Sequence, residues 1–406
     1  MRLVRKGSQQ YDKLIHRDCV VKKRVAKSVY KIVQDVRAEG DDAVSRYTRK
    51  FDKVKLKAKD LRVTQSEISA AYQDIKPEIV SVLKLVIENI NKFYRKNRKK
   101  SWKIKGKDGV FLGEKVTPID NVGVYIPSGT VPLVSSVYMT VLPAKIAGVK
   151  RIVLVSPPNE YKTINSHILV VADLLEVKEI YKIGGAQAIS ALAFGTKTVP
   201  KVDKIVGPGN EYVTEAKRQV FGYCDIDMLA GPSEVLILAN QDANPDYVIK
   251  DLIAQSEHHK GLSILVTPSK RLANAVKSEV PKGYLVLTKN LKEAVEITNQ
   301  IAPEHLQIMV KNPSQILKGI RNAGAIFLGH HSPVTVGDYV AGPSHVLPTG
   351  GTARFYSGLG IGDFMKTSHV VHYTKKALEE LEPTLEKLTQ IEGLPKHMES
   401  VKARLD

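Results

Sequence analysis

The chain has 406 residues, 43% of them hydrophobic, with 61 Lys and Arg against 42 Asp and Glu, a net charge of +19. That length exceeds one simple core and predicts two or more domains, and no apolar run is long enough to span a bilayer. Two cysteines, Cys19 and Cys224, lie far apart without metal spacing, which excludes a disulfide framework and a cysteine-rich zinc site. Residues 1–6 are basic, but the following GSQQYDK lacks the apolar centre of a signal peptide, so the cytoplasm is the expected compartment.

The charge raises nucleic acid as a partner. Its densest run, NKFYRKNRKKSWKIKGK at 91–107, interleaves Phe93, Tyr94 and Trp102 with basic residues, a pattern that can serve strand binding. The simpler reading is the exposed end of a long helix followed by an edge strand, because the Lys excess is spread over the whole chain. A positive field also suits an anionic cofactor.

In chain order, residues 1–25 read as a polar arm or short helix. Helical spacing follows over 27–51, with Gly40 as a break. Thr64 and Glu67 resemble a capping box, and another helix starts near Pro77 and runs to about residue 97. From Asn121 short strands alternate with helices: strands at 122–126, 151–155, 179–183 and 204–206, helices at 135–148, 168–175, 186–194 and 211–220. The alternation repeats with strands near 235–239, 262–266, 284–287, 306–310 and 325–328, and helices near 245–258, 270–280, 291–301 and 313–320. This predicts parallel sheets covered on both faces, in two tandem open, mostly parallel Rossmann-like units, with a ligand cleft at the carboxyl ends of the strands. The expected organisation is a helical N-terminal segment (1–120), a first α/β unit (121–232), a second (233–365) and a small helical C-terminal tail (366–406) in which Pro383 could split the helix. Such a tail needs something to pack on, and a second subunit is one candidate.

The segment 322–369 organises the chain. After a buried strand it is dense in Gly, Pro, Ser, Thr and His, yet keeps enough apolar residues to be ordered, and it presents Asp338 and His345. Other candidates are scattered. Gln255 and His258, three apart near a helix end, share a face as either a metal pair or a surface pair, with His259 reading as solvated. Glu304 and His305, beside Pro303 at a strand start, could divide acid and base work or simply pack there. Asp338 and His345 could be ligand and orienter, or a turn cap and a packed imidazole. Glu392 and His397 in the tail read as solvated. Gly207-Pro208-Gly209-Asn210 lies between a strand and a helix, where backbone amides can meet a phosphate, whereas 358–362 lacks that context. Neither cysteine sits in a nucleophile motif.

The motifs VGVYIPSG, GGAQAISALAFGT, GPGNEYVTEAKRQVFG, DMLAGPSEVLILA, AQSEHH, APEHLQI, GDYVAGPSHVLPTGG and EGLPKH stand in that order from Asn121 to His397, and together they resemble the histidinol dehydrogenase family. The resemblance implies a homodimeric, zinc- and NAD-dependent enzyme that oxidises L-histidinol through L-histidinal to L-histidine, with one zinc per subunit and helical segments exchanged between subunits. It implies Gln255, His258, Asp338 and His397 as zinc ligands, the last from the other subunit. Ser233, Gln255, His258, His305, Asp338, His345, Glu392 and His397 would contact substrate, and Tyr125, Gln187 and Asn210 would contact NAD. Glu304 and His305 would be the acid–base pair. Ser128 and Ser344 depart from the family's usual Gly and Asn. Two other readings compete: a zinc hydrolase using Glu304 or His305, which would have no use for paired α/β units, and a nucleic-acid-binding protein resting on charge alone, which would show a steep salt dependence.

Overall fold

The computed structural model describes residues 1–17, 21–97, 99–128, 132–258 and 260–406, so Cys19 and His259 lie outside the described residues. The fold is mixed α/β with mostly parallel sheets. The chain divides into two compact units, Met1–Asn97 with Ile119–Phe364, and Arg98–Pro118 with Met365–Asp406.

The first unit opens with strand β1 (Arg2–Val4) and helix α1 (Gln9–Ile15). Helices α2 (Lys23–Glu39) and α3 (Asp41–Phe51) follow, separated by Gly40 at φ 57°. α2 forms because Val25, Val29, Ile32, Val33 and Val36 recur on one stripe, and that stripe is buried. α4 (Gln65–Asp74) starts at a capping box between Thr64 and Glu67, and α5 (Pro77–Arg95) starts on its proline. Strands β2 (Trp102–Lys105) and β3 (Phe111–Pro118) come next in the chain but belong to the second unit.

From Asn121 strands and helices alternate: β4 (Asn121–Tyr125), α6 (Val134–Ala147), β5 (Arg151–Ser156), α7 (Ser166–Leu174), β6 (Glu179–Lys182), α8 (Gly185–Phe194), β7 (Lys204–Val206), α9 (Glu211–Val220) and the short β8 (Asp225–Ile226). They build a parallel sheet in the order β6-β5-β4-β7-β8. The alternation resumes with β9 (Glu234–Ala239), α10 (Pro245–Ala254), β10 (Leu262–Thr267), α11 (Lys270–Glu279), β11 (Tyr284–Leu287), α12 (Leu291–Ile301), β12 (His305–Met309), α13 (Pro313–Leu317) and β13 (Ala325–Leu328). The second parallel sheet has the order β1-β11-β10-β9-β12-β13. The N-terminal residues, expected as an arm or short helix, therefore also supply an edge strand. From β4 in the first sheet, and from β9 in the second once the edge strand β1 is set aside, the chain grows outward in both directions, so successive connections part between β4 and β7, and between β9 and β12.

Parallel strands covered on both faces need near-continuous apolar runs, and β9 is buried along its whole length. One core joins Val29 and Ile32 of α2 to Leu192 of α8 and Val213 of α9. The second sheet lies between two others: Leu236, Ile264 and Leu306 pack with Tyr11 and Leu14 of α1, and Ile237 and Leu265 pack with Leu252 and Val276. After β13 the chain makes α14 (Val334–Tyr339) and two tight helical turns at Thr352–Arg354 and Ile361–Phe364. Buried Val346, Leu347, Leu359 and Phe364 hold this segment in place.

The second unit contains a three-stranded antiparallel sheet, β14-β3-β2, with β14 at Met365–His372. Sequence periodicity suggested a return to helix after Asp363. The chain is extended instead, because Thr367, Val370 and Val371 are β-branched and β3 offers a partner along all of β14. β2 is an exposed edge strand, as expected for the end of the basic run. α15 (Lys375–Ile391) passes through Pro383 unbroken, and α16 (Pro395–Lys402) ends the unit. Among the described residues no helix is long and apolar enough to cross a membrane.

Candidate active site

A cleft of about 1190 Å³ is lined by residues that follow the strands of the first sheet, including Tyr125 at the end of β4, Pro157 after β5, Gln187 after β6 and Asn210 after β7. It forms where the strand order parts, between β4 and β7. Gly207 makes the close approach possible: at φ +116° a Cβ there would lie 2.1 Å from the Tyr125 carbonyl oxygen. The loop is braced from beneath by a buried ion pair. Asp227 Oδ2 accepts from Gly207 N at 2.7 Å, while Lys217 Nζ donates to the Gly207 carbonyl at 2.5 Å and to Asp227 Oδ1 at 2.7 Å. Asn210 caps α9 by accepting from the Tyr212 and Val213 amides at 3.0 and 3.2 Å. The Tyr125 hydroxyl accepts from Gly185 N at 3.2 Å, and burial pushes its pKa up to about 12. Gln187 is fully buried, with Oε1 lacking a partner and Nε2 3.5 Å from Asp52 Oδ2. The three expected NAD contacts thus share one cleft.

The catalytic candidates meet at the amino ends of the second sheet. Glu304 and His305 are 6% and 3% exposed at the start of β12, beside the start of β9. Neighbouring side chains on a strand point apart. Here Ala302, at φ 50°, and Pro303 turn the chain just before the strand, and His305 Nδ1 comes within 3.4 Å of Glu304 Oε2. Glu304 Oε2 accepts from Ser233 Oγ at 2.8 Å and Glu234 N at 2.6 Å. His305 Nδ1 lies 2.9 Å from the Glu234 carbonyl oxygen. A carbonyl can only accept, so Nδ1 carries the hydrogen and Nε2 is the remaining ring nitrogen. Nε2 faces Asp338 Oδ1 at 3.4 Å without a hydrogen bond. Burial lowers the His305 pKa, but Glu304 and Asp338 outweigh it and raise the value to about 10.

Asp338 stands on α14, and His345 lies just beyond it. His345 is half-buried, its Nε2 is 3.0 Å from Ser135 Oγ near the start of α6, and burial pulls its pKa down, keeping it neutral. Ser344, the departure from the family pattern, accepts from Val346 N at 3.2 Å and so serves the local turn. The expected cleft at strand carboxyl ends describes the first sheet but not the Glu304–His305 region. Residues 349–350 reach the amino ends of the second sheet: Thr349 Oγ1 accepts from Gly231 N at 2.5 Å, and Gly350 N donates to Glu234 Oε1 at 3.0 Å. That segment carries the residues just after Asp338 and His345 to this end.

Gln255 and His258 correct the shared-face expectation. α10 ends at Ala254, Gln255–Glu257 is a tight turn, and His258 is extended at ψ 132°. With β10 starting at Leu262, the chain must leave the helix here. Gln255 is 5% exposed with Nε2 unpartnered, whereas His258 is exposed and lines the cleft. Glu392, the C-cap of α15, and His397, on α16, are exposed residues of the second unit. Among the described residues no group of three or more His, Cys, Asp or Glu is gathered tightly enough to hold a metal. The donors are still of a fitting kind, since Gln255 keeps a buried amide free and imidazole and carboxylate oxygen suit zinc. Sequence patterns missed Ser135, Glu234, Arg17 and Asp52. Glu234 is clamped by Arg17 through two bonds of 2.9 Å. Nothing local in the sequence marks any of these four.

A cleft at parallel strand ends and, in the same unit, a buried imidazole flanked by two carboxylates fit an α/β enzyme. The profile of histidinol dehydrogenase matches residues 16–405, and the chain belongs to the histidinol dehydrogenase family. The histidinol dehydrogenase of Caldanaerobacter subterraneus subsp. tengcongensis is 46% identical over 413 residues, covering 97% of this chain and 96% of the relative. That of Bacillus subtilis is 46% identical, covering 93% and 92%. The crystal structure of histidinol dehydrogenase from Elizabethkingia anophelis aligns with a TM-score of 0.93 at 36% identity, over 100% of this chain and 98% of that one.

Proposed function

We propose that this protein oxidises L-histidinol to L-histidinal and then to L-histidine, the closing steps of histidine biosynthesis, with one NAD reduced in each step. The observation that carries the reading is His305, whose Nδ1 is tied to the Glu234 carbonyl so that Nε2 is the nitrogen presented to a reacting group. In the first step His305, which gives up its own Nε2 proton more readily as pH rises toward its raised pKa of about 10, takes the alcohol proton there while hydride leaves the carbinol carbon for the nicotinamide. Glu304 and Asp338, which favour the charged imidazole, stabilise the state reached after that transfer. In the second step water adds to the aldehyde with Glu304 taking its proton, and hydride leaves the hydrate for a second NAD. Ser233 holds the Glu304 carboxylate in place through its 2.8 Å bond. Burial of both residues keeps bulk water from the aldehyde between steps.

Tyr125, Gln187 and Asn210 bind NAD in the cleft. Gln255, His258, Asp338 and His397 of the partner subunit would hold one zinc. Zinc held there would supply a positive charge to position the substrate. Ser233, His345 and Glu392 complete the substrate contacts in a homodimer with shared sites. The organisation behind this is two tandem Rossmann-like units, 121–232 and 233–365, flanked by segments 1–120 and 366–406. The protein works in the cytoplasm, without nucleic acid or membrane. The test is NADH formation by zinc-loaded protein from L-histidinol, with histidine quantified alongside. The expected result is two NADH per histidine, lost on metal chelation. A folded, zinc-loaded protein that makes no NADH contradicts the proposal.

A further inference from the structure

Beside Gln187 the cleft has a corner whose other residues are not among the expected NAD contacts. Phe51, the last residue of α3, lines the cleft and is 50% exposed. Its ring stacks on Tyr47 at 5.7 Å and 5°. Lys50 Nζ lies over the same ring, 5.3 Å from its centroid, and a half-exposed ring backed by a second ring is still a platform for a planar heterocycle. The next residue, Asp52, lines the same cleft. Among the described residues its carboxylate has one hydrogen bond, the long 3.5 Å contact from Gln187 Nε2. Burial pushes its pKa up to about 6, the mark of a carboxylate short of donors. Gln187 Oε1, beside it, is buried and unpartnered. The corner therefore holds acceptors that lack donors.

This argument rests on the cleft holding NAD. The dinucleotide's own chemistry then decides which part meets the corner. Its phosphates would be repelled by Asp52, and Arg24, Lys27, Lys31 and Lys50 line the same cleft to receive them. Its nicotinamide has to reach the reacting alcohol, on the side where His258 of the second sheet's α10 turn lines the cleft. The adenosine remains, with a planar base for Phe51 and a vicinal diol whose two hydroxyls are donors. We propose that Asp52 accepts the adenosine ribose hydroxyls, with the adenine on Phe51, and that this carboxylate selects NAD against its 2′-phosphorylated form. A 2′-phosphate would replace a donor by negative charge directly against the Asp52 carboxylate.

The test is calorimetric binding of NAD and of NADP to the wild-type protein, Asp52→Asn, Asp52→Ser and Asn210→Ala, with melting temperatures and steady-state kinetics for each. Asp52→Asn keeps the shape and removes the charge, and Asp52→Ser is a second variant should the first melt early. The expected result is NAD binding weakened about tenfold or more, a hydrogen bond to a charged group being worth at least that factor. The loss falls on KM for NAD rather than on kcat, and the NAD-to-NADP preference shrinks about tenfold or more. A folded Asp52 variant with wild-type NAD affinity and unchanged preference overturns the proposal, and if Asn210→Ala weakens NAD at the same time, the cleft reading survives without it. A wild-type protein that binds neither dinucleotide overturns both.

Discussion

The two parallel sheets of the first unit use their ends differently. At the carboxyl ends of the first sheet, the cleft is built from short segments that directly follow β4, β5, β6 and β7. At the amino ends of the second sheet, the acid–base cluster is assembled from distant pieces. It joins Ser233 and Glu234 to Glu304 and His305, Asp338 faces His305, and Arg17 clamps Glu234. The first is a property of strand order, since any open sheet that reverses direction leaves a crevice there. The second depends on particular long-range contacts, so single substitutions should damage it more.

The largest effect is expected in the cluster. His305→Asn keeps a donor near the Glu234 carbonyl but has no base at the Nε2 position. Turnover should fall about 10²–10⁴-fold, the range for a general base, with NAD affinity and zinc content retained. A loss of NAD binding of similar size would mean that the two regions are not separable. Next is Arg17→Ala, which leaves buried Glu234 without its cation. Removing one partner of a buried pair costs about 3–5 kcal/mol, so chemical denaturation should show a loss of that order, and His305 should lose orientation with it. A stability change below about 1 kcal/mol, the scale of surface pairs, would contradict the clamp. The smallest effect belongs to the cleft: Asn210→Ala removes the cap of α9, which should cost about 1 kcal/mol of stability and raise KM for NAD without changing zinc content.

The same contrast decides what could be read from the sequence. β7, β11 and β13, with α9 and α12, fall at their expected residues, because each is a short, largely apolar run or a capped periodic one. Gly207–Asn210 was recognisable as a strand-to-helix turn for the same local reason. β14 was not, since its sequence favours extension only weakly and its partner β3 lies more than two hundred positions away. The Gln255–His258 turn was not legible, because the strand at 262 is marked by its apolar run but helical spacing does not show that α10 must end at Ala254 to reach it. Glu304, His305, Asp338 and His345 were singled out by residue type and by the ordered motifs, but the Glu234 carbonyl that sets the His305 tautomer is a backbone atom, and Ser135 and Arg17 meet the cluster across the fold.

The central claim is that the cleft of the first sheet and the cluster of the second serve one reaction. A crystal structure of the zinc-loaded protein with NAD and L-histidinol tests it most directly. The account predicts the dinucleotide in the cleft bounded by Tyr125, Gln187 and Asn210, and the alcohol oxygen within hydrogen-bonding distance of His305 Nε2. A dinucleotide bound elsewhere, or an alcohol with His305 out of reach, would contradict it.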